Sequence, residues 1–438
     1  MKGMKISLIA AMAALTAGTL CAADWYVSPK GKNKAAGNTP AAPFKNIWKA
    51  IDKAKPGDTI HIAEGKYFGK MSCGWITVNK TVNLLGGYSP DFSVRNPLVH
   101  KTMLQPTNEQ NATKPTFGTM TISISGQKGN VVVDGFVFDH TLANSYHPTK
   151  GKPAGFSAGM WLPPPAKGKT KFPSIDRYML HSEFKYGTQG DLIIQNCLFL
   201  NASNYAINAN HFNGSVKILN NVFIAGRMVA AEVRKSNAKD FMVNFEFANN
   251  TVLFTWTRTS EMTDMGYGVR ANEGIVANIH NNIFGLNCMA GFDNTKGNDK
   301  KKKIKLDNNI FFLNKKADVA ITMSPNIKFM KVDGNGFDDL EEATGFESVD
   351  KNISLKDPKL FKDILDTNYL NAFLSATYTE KTSYDENSPI NTFRAALGMN
   401  KQGTIKSKVS MYANAYPEAK VMKFFGAVPQ YGAQVPAK

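Results

Sequence analysis

Five short phrases between residues 205 and 322 gather groups that could do chemistry. They are Tyr205-Ala206-Ile207-Asn208-Ala209-Asn210, Ala231-Glu232-Val233-Arg234-Lys235-Ser236, Gly268-Val269-Arg270-Ala271-Asn272, Gly291-Phe292-Asp293-Asn294 and Ala320-Ile321-Thr322. Each alternates apolar and polar residues, as a strand with one buried face does. With Ile207, Val233, Val269, Phe292 and Ile321 inward, the outward column reads Asn208, Arg234, Arg270, Asp293, Thr322, and Glu232 falls in the column beside it. Stacked strands lie ~4.8 Å apart, so Arg234 and Arg270 would be direct neighbours. Two adjacent guanidiniums are unfavourable unless an anion lies over them. A carboxylated sugar would serve, because a guanidinium binds carboxylate in a bidentate fork. The same set suits β-elimination from a uronic acid. Arg270 would neutralise the sugar carboxylate and so acidify the neighbouring C–H, while Arg234 or Lys235, lowered in pKa by the cations around it, would take the proton. Asn208 and Asp293 would contact the sugar. The oxygens of Asn208 and Glu232 are of the kind Ca2+ takes, and Ca2+ is the only cofactor the residues suggest.

Each of these residues also has a plainer reading. Arg234, Arg270 and Glu232 could form a salt-bridged ladder on a surface. Asn208 could be one more stacking amide, and Asp293 a turn residue before Asn294. Trp161 could stack on a sugar or pack its own segment against the wall. Glu232 and Asp293, two strands and so ~10 Å apart, are at the edge of the separation an inverting glycosidase uses. A glycan-binding protein with no catalysis needs none of these roles.

The positioning elements are legible in a second repeat, Gln195-Asn196-Cys197, Asn220-Asn221-Val222, Asn249-Asn250-Thr251, Asn281-Asn282-Ile283 and Asn308-Asn309-Ile310. Taking Asn196, Asn221, Asn250, Asn282 and Asn309 as equivalent, the intervals are 25, 29, 32 and 27 residues. A fixed phrase with drifting spacing is a repeated unit with loops of variable length. Each copy follows a short apolar segment such as Val216 to Leu219 or Ile304 to Leu306, which reads as a strand. Asparagines at one corner of successive coils would hydrogen-bond along their own column. The expected fold is all-β: a single parallel β-helix.

Residues 1–23 read as a secretory signal, with Lys2 and Lys5 before an apolar run and Cys21-Ala22-Ala23 before Asp24. A secreted, periplasmic or cell-surface protein is expected, with no later segment apolar enough to span a bilayer. The formal net charge is +17, or +15 without Lys2 and Lys5. That favours an acidic partner, and an acidic polysaccharide over nucleic acid, because the basic residues are dispersed and form no recognised binding module. Lys300 to Lys303 reads as a solvated loop. Cys73, Cys197 and Cys288 lack metal-ligand spacing and read as core or corner residues. A monomer is expected. Along the chain, 24–80 reads as a cap and first coil and 81–330 as the solenoid, interrupted by an insertion over 140–190. Residues 331–438 read as last coils and an irregular C-terminal cap.

The first of these segments carries a resemblance. Trp25-Tyr26-Val27-Ser28-Pro29, Pro43-Phe44-Lys45-Asn46-Ile47-Trp48-Lys49-Ala50-Ile51, Lys55-Pro56-Gly57-Asp58-Thr59-Ile60 and Gly65-Lys66-Tyr67 resemble the opening of exported proteins of the pectate-lyase-like superfamily. That resemblance implies a right-handed solenoid, and Phe44, Ile47, Trp48 and Ile51, which fall on one helical face, suit a short amphipathic helix plugging its end. The resemblance also implies catalytic groups on consecutive coils of one parallel sheet. Lys235-Ser236, Asn250-Thr251 and Arg270 are in turn similar to a series in the alginate and dermatan lyases of that group. The paired arginine motif of pectate lyases and the aspartate triplet of polygalacturonases are absent.

Overall fold

The computed structural model describes residues 22–67, 76–104, 119–140, 178–236, 241–256, 265–297, 299–323, 326–332, 345–355, 358–377, 386–387, 389–401 and 415–436. The signal-like segment 1–21, Cys73 and Trp161 lie outside them. Three sheets run the length of the chain, each gaining one strand per coil. The first has ten strands, from Asp24–Val27 to Phe346–Ser348. The second has nine, from Gly65–Tyr67 to Ile353–Ser354, and the third nine, from Ile76–Val78 to Val319–Met323 and Asn326–Met330. Asn326–Met330 is antiparallel to its neighbour, while strands of successive coils pair in parallel, as Leu192–Gln195 does with Ser215–Leu219 and that with Val243–Ala248. The molecule is a single parallel β-helix.

Strand alternation fills its interior. Ile194, Ile218, Phe247, Ile279 and Leu306 of the first sheet are fully buried. Inward phenylalanines of the second sheet stack coil on coil, with Phe138–Phe199 centroids 4.7 Å apart and Phe199–Phe223 4.8 Å. Offset stacking adds to the area each ring already buries. The predicted N-terminal helix is short, Ile47–Lys53, and buries Ile47, Ala50 and Ile51 against the first coils.

The asparagine repeat resolves into two columns. Leu198 pairs with Val222, so Asn196 aligns with Asn220 and Cys197 with Asn221, one residue away from the alignment expected from sequence. The outer column is Asn196, Asn220, Asn249, Asn281 and Asn308, all at φ between 53° and 57°. Asparagine is among the few side chains that accept this left-handed conformation cheaply. The inner column is Cys197, Asn221, Asn250, Asn282, Asn309 and Asn352. There each Oδ1 accepts the backbone N–H of the preceding member, at 2.9 Å from Asn221 to Asn250 and 2.8 Å from Asn250 to Asn282. Each Nδ2 returns to a carbonyl, as Asn250 does to Ile218 at 2.8 Å.

The described part of the C-terminal segment adds the strands Phe346–Ser348 and Ile353–Ser354 and then packs on the side of the solenoid. Its described residues among 358–377, 389–401 and 415–433 pack on the outer face of the second sheet. Phe361, Tyr369, Phe373, Phe393, Tyr416 and Phe424 cover Leu198, Leu200, Val222, Ile224 and Phe312. Residues 416–434 also bind Asn201, which follows the strand Leu198–Leu200, and members of the outer asparagine column. Asn201 Oδ1 accepts from Tyr416 N at 2.8 Å, Asn220 Nδ2 donates to Gln434 O at 2.9 Å, and Tyr431 Oη donates to Asn308 Oδ1 at 3.0 Å. The second-sheet strands are therefore buried on both sides, which explains their unbroken apolar triplets such as Leu198–Leu200 and Val222–Ile224.

Candidate functional site

With the second sheet covered, the first and third remain. The first presents ordinary solvated side chains such as Lys217, Glu246, Asn278 and Lys305. The third is different: its outward residues are charged or polar and largely buried.

Its register departs from the expected one by two residues. Val233 pairs with Ala209 and Ala271, and Ala231 with Ile207 and Val269. An even slip leaves every side chain on its expected face but changes its column. The central row therefore reads His181, Asn208, Glu232, Arg270, Asp293. A second row holds Glu183, Asn210 and Arg234, and Thr322 pairs with Thr295, not Asp293. Arg234 and Arg270 are thus not neighbours, and Glu232 stands where Arg234 was expected. Alternating charge replaces like charge. The strand Leu180–Phe184, expected within the insertion, is a coil strand of this sheet, and residues 141–177 of the insertion lie outside the described residues.

Glu232 and Asp293 are 1% and 0% exposed. Arg270 bridges them, donating from Nε to Asp293 Oδ2 at 2.6 Å and from Nη1 to Glu232 Oε2 at 3.4 Å. Asp293 also accepts from Thr295 at 3.0 Å and Thr322 at 2.8 Å, and Glu232 Oε1 accepts from Arg234 and, at 3.4 Å, from Asn272. Burial pulls against the Arg270 charge, but Asp293 and the hydroxyls of Tyr205 and Tyr267 outweigh it and leave the guanidinium above its ordinary pKa. The Arg270 guanidinium lies 4.6 Å from the centroid of the Tyr267 ring. Burial first, then Asp293, pushes the Tyr267 hydroxyl up to about 12.

This network changes what the expected residues can do. All four oxygens of Glu232 and Asp293 already accept hydrogen bonds, so the pair does not present the two open carboxyls a glycosidase needs. Arg270 is spent on two buried carboxylates. Asn208 and Glu232 are paired neighbours, yet Glu232 is held by two guanidiniums where Ca2+ would need to stand, and they do not fit the ion. Among the described residues no group of three or more His, Cys, Asp or Glu side chains is placed to hold a metal. Lys235 stands at the corner end of its strand, its stem against Gly274. Arg234 is the open cation of the set, its side chain 42% exposed, and its buried Nε makes no hydrogen bond.

Several residues at this face escaped the sequence reading. On one edge Tyr178 lies 5.5 Å from Tyr205 and 5.2 Å, stacked, from His181. On the other edge Tyr186, Phe212 and Phe241 form a rail with centroids 5.2 and 5.0 Å apart. Tyr186 is 82% exposed and Phe241 43%. The signal was an aromatic recurring one coil apart just after the third-sheet strands.

Lys302 is a further correction. It is 3% exposed, and its Nζ donates to Ala271 O at 2.8 Å and Thr295 O at 2.6 Å. Burial pushes its pKa down to about 7, against the pull of Asp293, Asp299 and Glu273. The folded value lies below the 10.5 of a free lysine, so the unfolded chain binds more protons between the two values. Stability should therefore climb as pH rises from about 7 toward 10 and be lost as pH falls through 7. Urea midpoints for the wild type and Lys302→Met at about pH 6 and pH 9 should show that climb only in the wild type. Equal pH responses would mean that Lys302 titrates as an ordinary lysine.

Residues 29–135 match a family described as protein of unknown function (DUF1565), which is less than half of the chain. No curated protein matches. Among solved structures the chain is similar to one titled the complex structure of XylC with xylose, at 12% identity and TM-score 0.38, over 68% of this chain and 63% of that one. This chain thus spans less than two thirds of that protein. It is similar to a rhamnogalacturonan lyase at 11% identity and TM-score 0.36, over 86% and 99% of the two chains. It is also similar to pectate lyase Pel9A, at 13% identity and TM-score 0.34, over 94% and 96%. The likeness to these polysaccharide lyases is distant. The β-helix itself stands on the strand order and register described above.

Proposed function

We propose that this protein is an exported polysaccharide-binding β-helix that holds a uronic-acid polymer along the outer face of its third sheet. One observation carries this reading: a polar, charged strip runs across successive coils between two aromatic edges. Sugars have apolar ring faces and polar rims, so a ligand face combines aromatic surfaces with a few fixed polar groups. Tyr186 and Phe241 expose the rings, and Arg234 exposes the cation with an unpartnered Nε. A carboxylate is the group that guanidinium matches best, and the positive balance of the whole chain works in the same direction. The buried Glu232–Arg270–Asp293 row is the rigid floor under this strip. Positioning groups are held more tightly by such a network than by loops.

Affinity electrophoresis in gels containing alginate, pectate, chondroitin sulfate or a neutral glucan tests the proposal. The wild type should be retarded by at least one acidic polymer and pass freely through the neutral one. Arg234→Gln and Tyr186→Ala should each weaken retention by about tenfold, which is ~1.4 kcal/mol. Equal retention in all gels, or none in any, would overturn the reading.

A further inference from the structure

Resting only on the exported character in that reading, we infer that the mature chain begins at Ala23 and that its new α-ammonium forms an ion pair with Asp58. Ala23 N stands 2.9 Å from Asp58 Oδ1. The other oxygen, Oδ2, accepts from the Trp25 indole at 2.9 Å and from Lys55 N at 2.8 Å. Asp58 is 4% exposed, and its carboxylate joins the start of the strand Asp24–Val27 to the turn before Thr59–Ala63. Burial pulls its pKa up, but the N–H groups of Lys55, Trp25 and Ala23 outweigh it and hold the carboxyl below its ordinary value. Buried charges are normally paired. Yet all three donors are neutral N–H groups, and among the described residues Asp58 forms no ion pair. Of the three, only Ala23 N can acquire a charge, and it does so when the peptide bond before it is cut.

A leader-removing peptidase supplies that cut. Hydrolysis of the Ala22–Ala23 bond consumes one water, whose hydroxyl joins the Ala22 carbonyl carbon and whose proton goes to Ala23 N. Solvent protonates the amine further at neutral pH, because an ordinary α-amine titrates at about 8. Ala22 is a small residue of the kind such sites carry. A cut one residue later, which the pattern around Cys21 suggests, would not serve. Ala23 faces the strand Thr59–Ala63, its carbonyl accepting Thr59 N at 2.9 Å. Tyr26 faces the other way, donating to Gly37 O at 2.7 Å and accepting from Phe44 N at 2.8 Å. Backbone groups alternate along a strand, so Asp24 shares the side of Tyr26. An amine there would leave from the far edge, and Asp58 Oδ1 would lose its donor. A precursor with its leader attached offers Asp58 an amide only. Removal of the leader therefore strengthens the first coil, which couples the final stability of this end to export.

The test expresses the full 438-residue chain in an exporting bacterium and reads the first residue of the exported product from its intact mass. The expected product is 23–438. The amine is then probed by acylation at about pH 7, followed by peptide mapping. Ala23 in the folded protein should react about tenfold more slowly than in a free peptide of residues 23–27, the factor that one unit of raised pKa gives. Asp58→Asn should bring the folded rate within about twofold of the free one, and the wild-type comparison stands without that variant. A product starting at Ala22 or Asp24, or a folded wild type whose amine reacts at the free rate, overturns the ion pair and leaves export standing. A chain that keeps its leader overturns both, while polysaccharide retention is decided separately by the gels.

Discussion

Asn250→Ala is expected to destabilise the protein by about 3 kcal/mol, since four buried hydrogen bonds are lost and an orphaned buried group costs about 1–3 kcal/mol. Asn250 is fully buried. Its Oδ1 accepts from Asn221 N at 2.9 Å and Asn221 Nδ2 at 3.1 Å, and its Nδ2 donates to Ile218 O at 2.8 Å and Ala248 O at 3.1 Å. Alanine leaves the Asn221 backbone N–H without its acceptor and takes one bond from Ile218 O, while Asn221 Nδ2 keeps Ile194 O at 3.0 Å and Ala248 O keeps Asn220 N at 2.9 Å. The neighbouring outer position gives the contrast. Asn220 sits at φ 56°, a conformation glycine takes freely, and its side chain reaches Asn196 and Gln434 at the surface. Asn220→Gly should therefore cost about 1 kcal/mol. Urea midpoints of the two variants measure the difference. Equal losses would mean that the two columns share one role.

The second large effect is expected from Arg270→Ala, at about 3–5 kcal/mol, the usual cost of breaking a buried ion pair from one side. The substitution strips the shared cation from Glu232 and Asp293, neither of which is more than 1% exposed. The hydroxyls of Thr295 and Thr322 and the groups of Arg234 and Asn272 would still bind the carboxylates, which keeps the loss from being larger. Thermal melts in the absence of any polysaccharide decide the matter. A large drop in melting temperature makes Arg270 a structural tie. An unchanged melt with lost polysaccharide binding would return Arg270 to the ligand and break the network reading. A loss of binding or turnover in this variant thus carries meaning only beside its melting curve.

The solenoid was legible because its determinants are local and repeated. A polar amide in a fixed phrase, a strand before it and a strand after it are all visible within one coil. The identity of the outward residues was legible too, since period-two alternation assigns faces without knowledge of neighbours. What failed was the offset between coils. Whether Val233 lies beside Ile207 or beside Ala209 depends on the number of residues absorbed by intervening corners, and both alignments bury apolar side chains equally well. The two-residue slip therefore turned an alternating charge row into an apparent arginine stack. Cys197 misled the asparagine alignment in the same way, by standing in the inner column where the other coils carry an amide. Lys302 was hidden because a lysine run has no pattern that tells its one buried member from its exposed neighbours. The aromatic rail and the Tyr178–His181 stack join residues on different coils or within a segment read as an insertion, and only the folded wall brings them together.

The flank cover along the second sheet has a consequence for the order of events in folding. Phe361, Tyr369, Phe373, Phe393, Tyr416 and Phe424 are made after every coil they cover, and the tie between Lys101 and Glu418 spans 317 residues. Coils can stack one on another as they emerge, since each needs only its predecessor. Yet the strip formed by Leu198, Leu200, Val222, Ile224 and Phe312 stays bare until the last segment arrives. During synthesis the emerging solenoid therefore carries one uncovered apolar side, the kind of surface that recruits chaperones or other chains. Closure is a latch thrown once, at the end, and its contacts are of the long-range kind that form slowly.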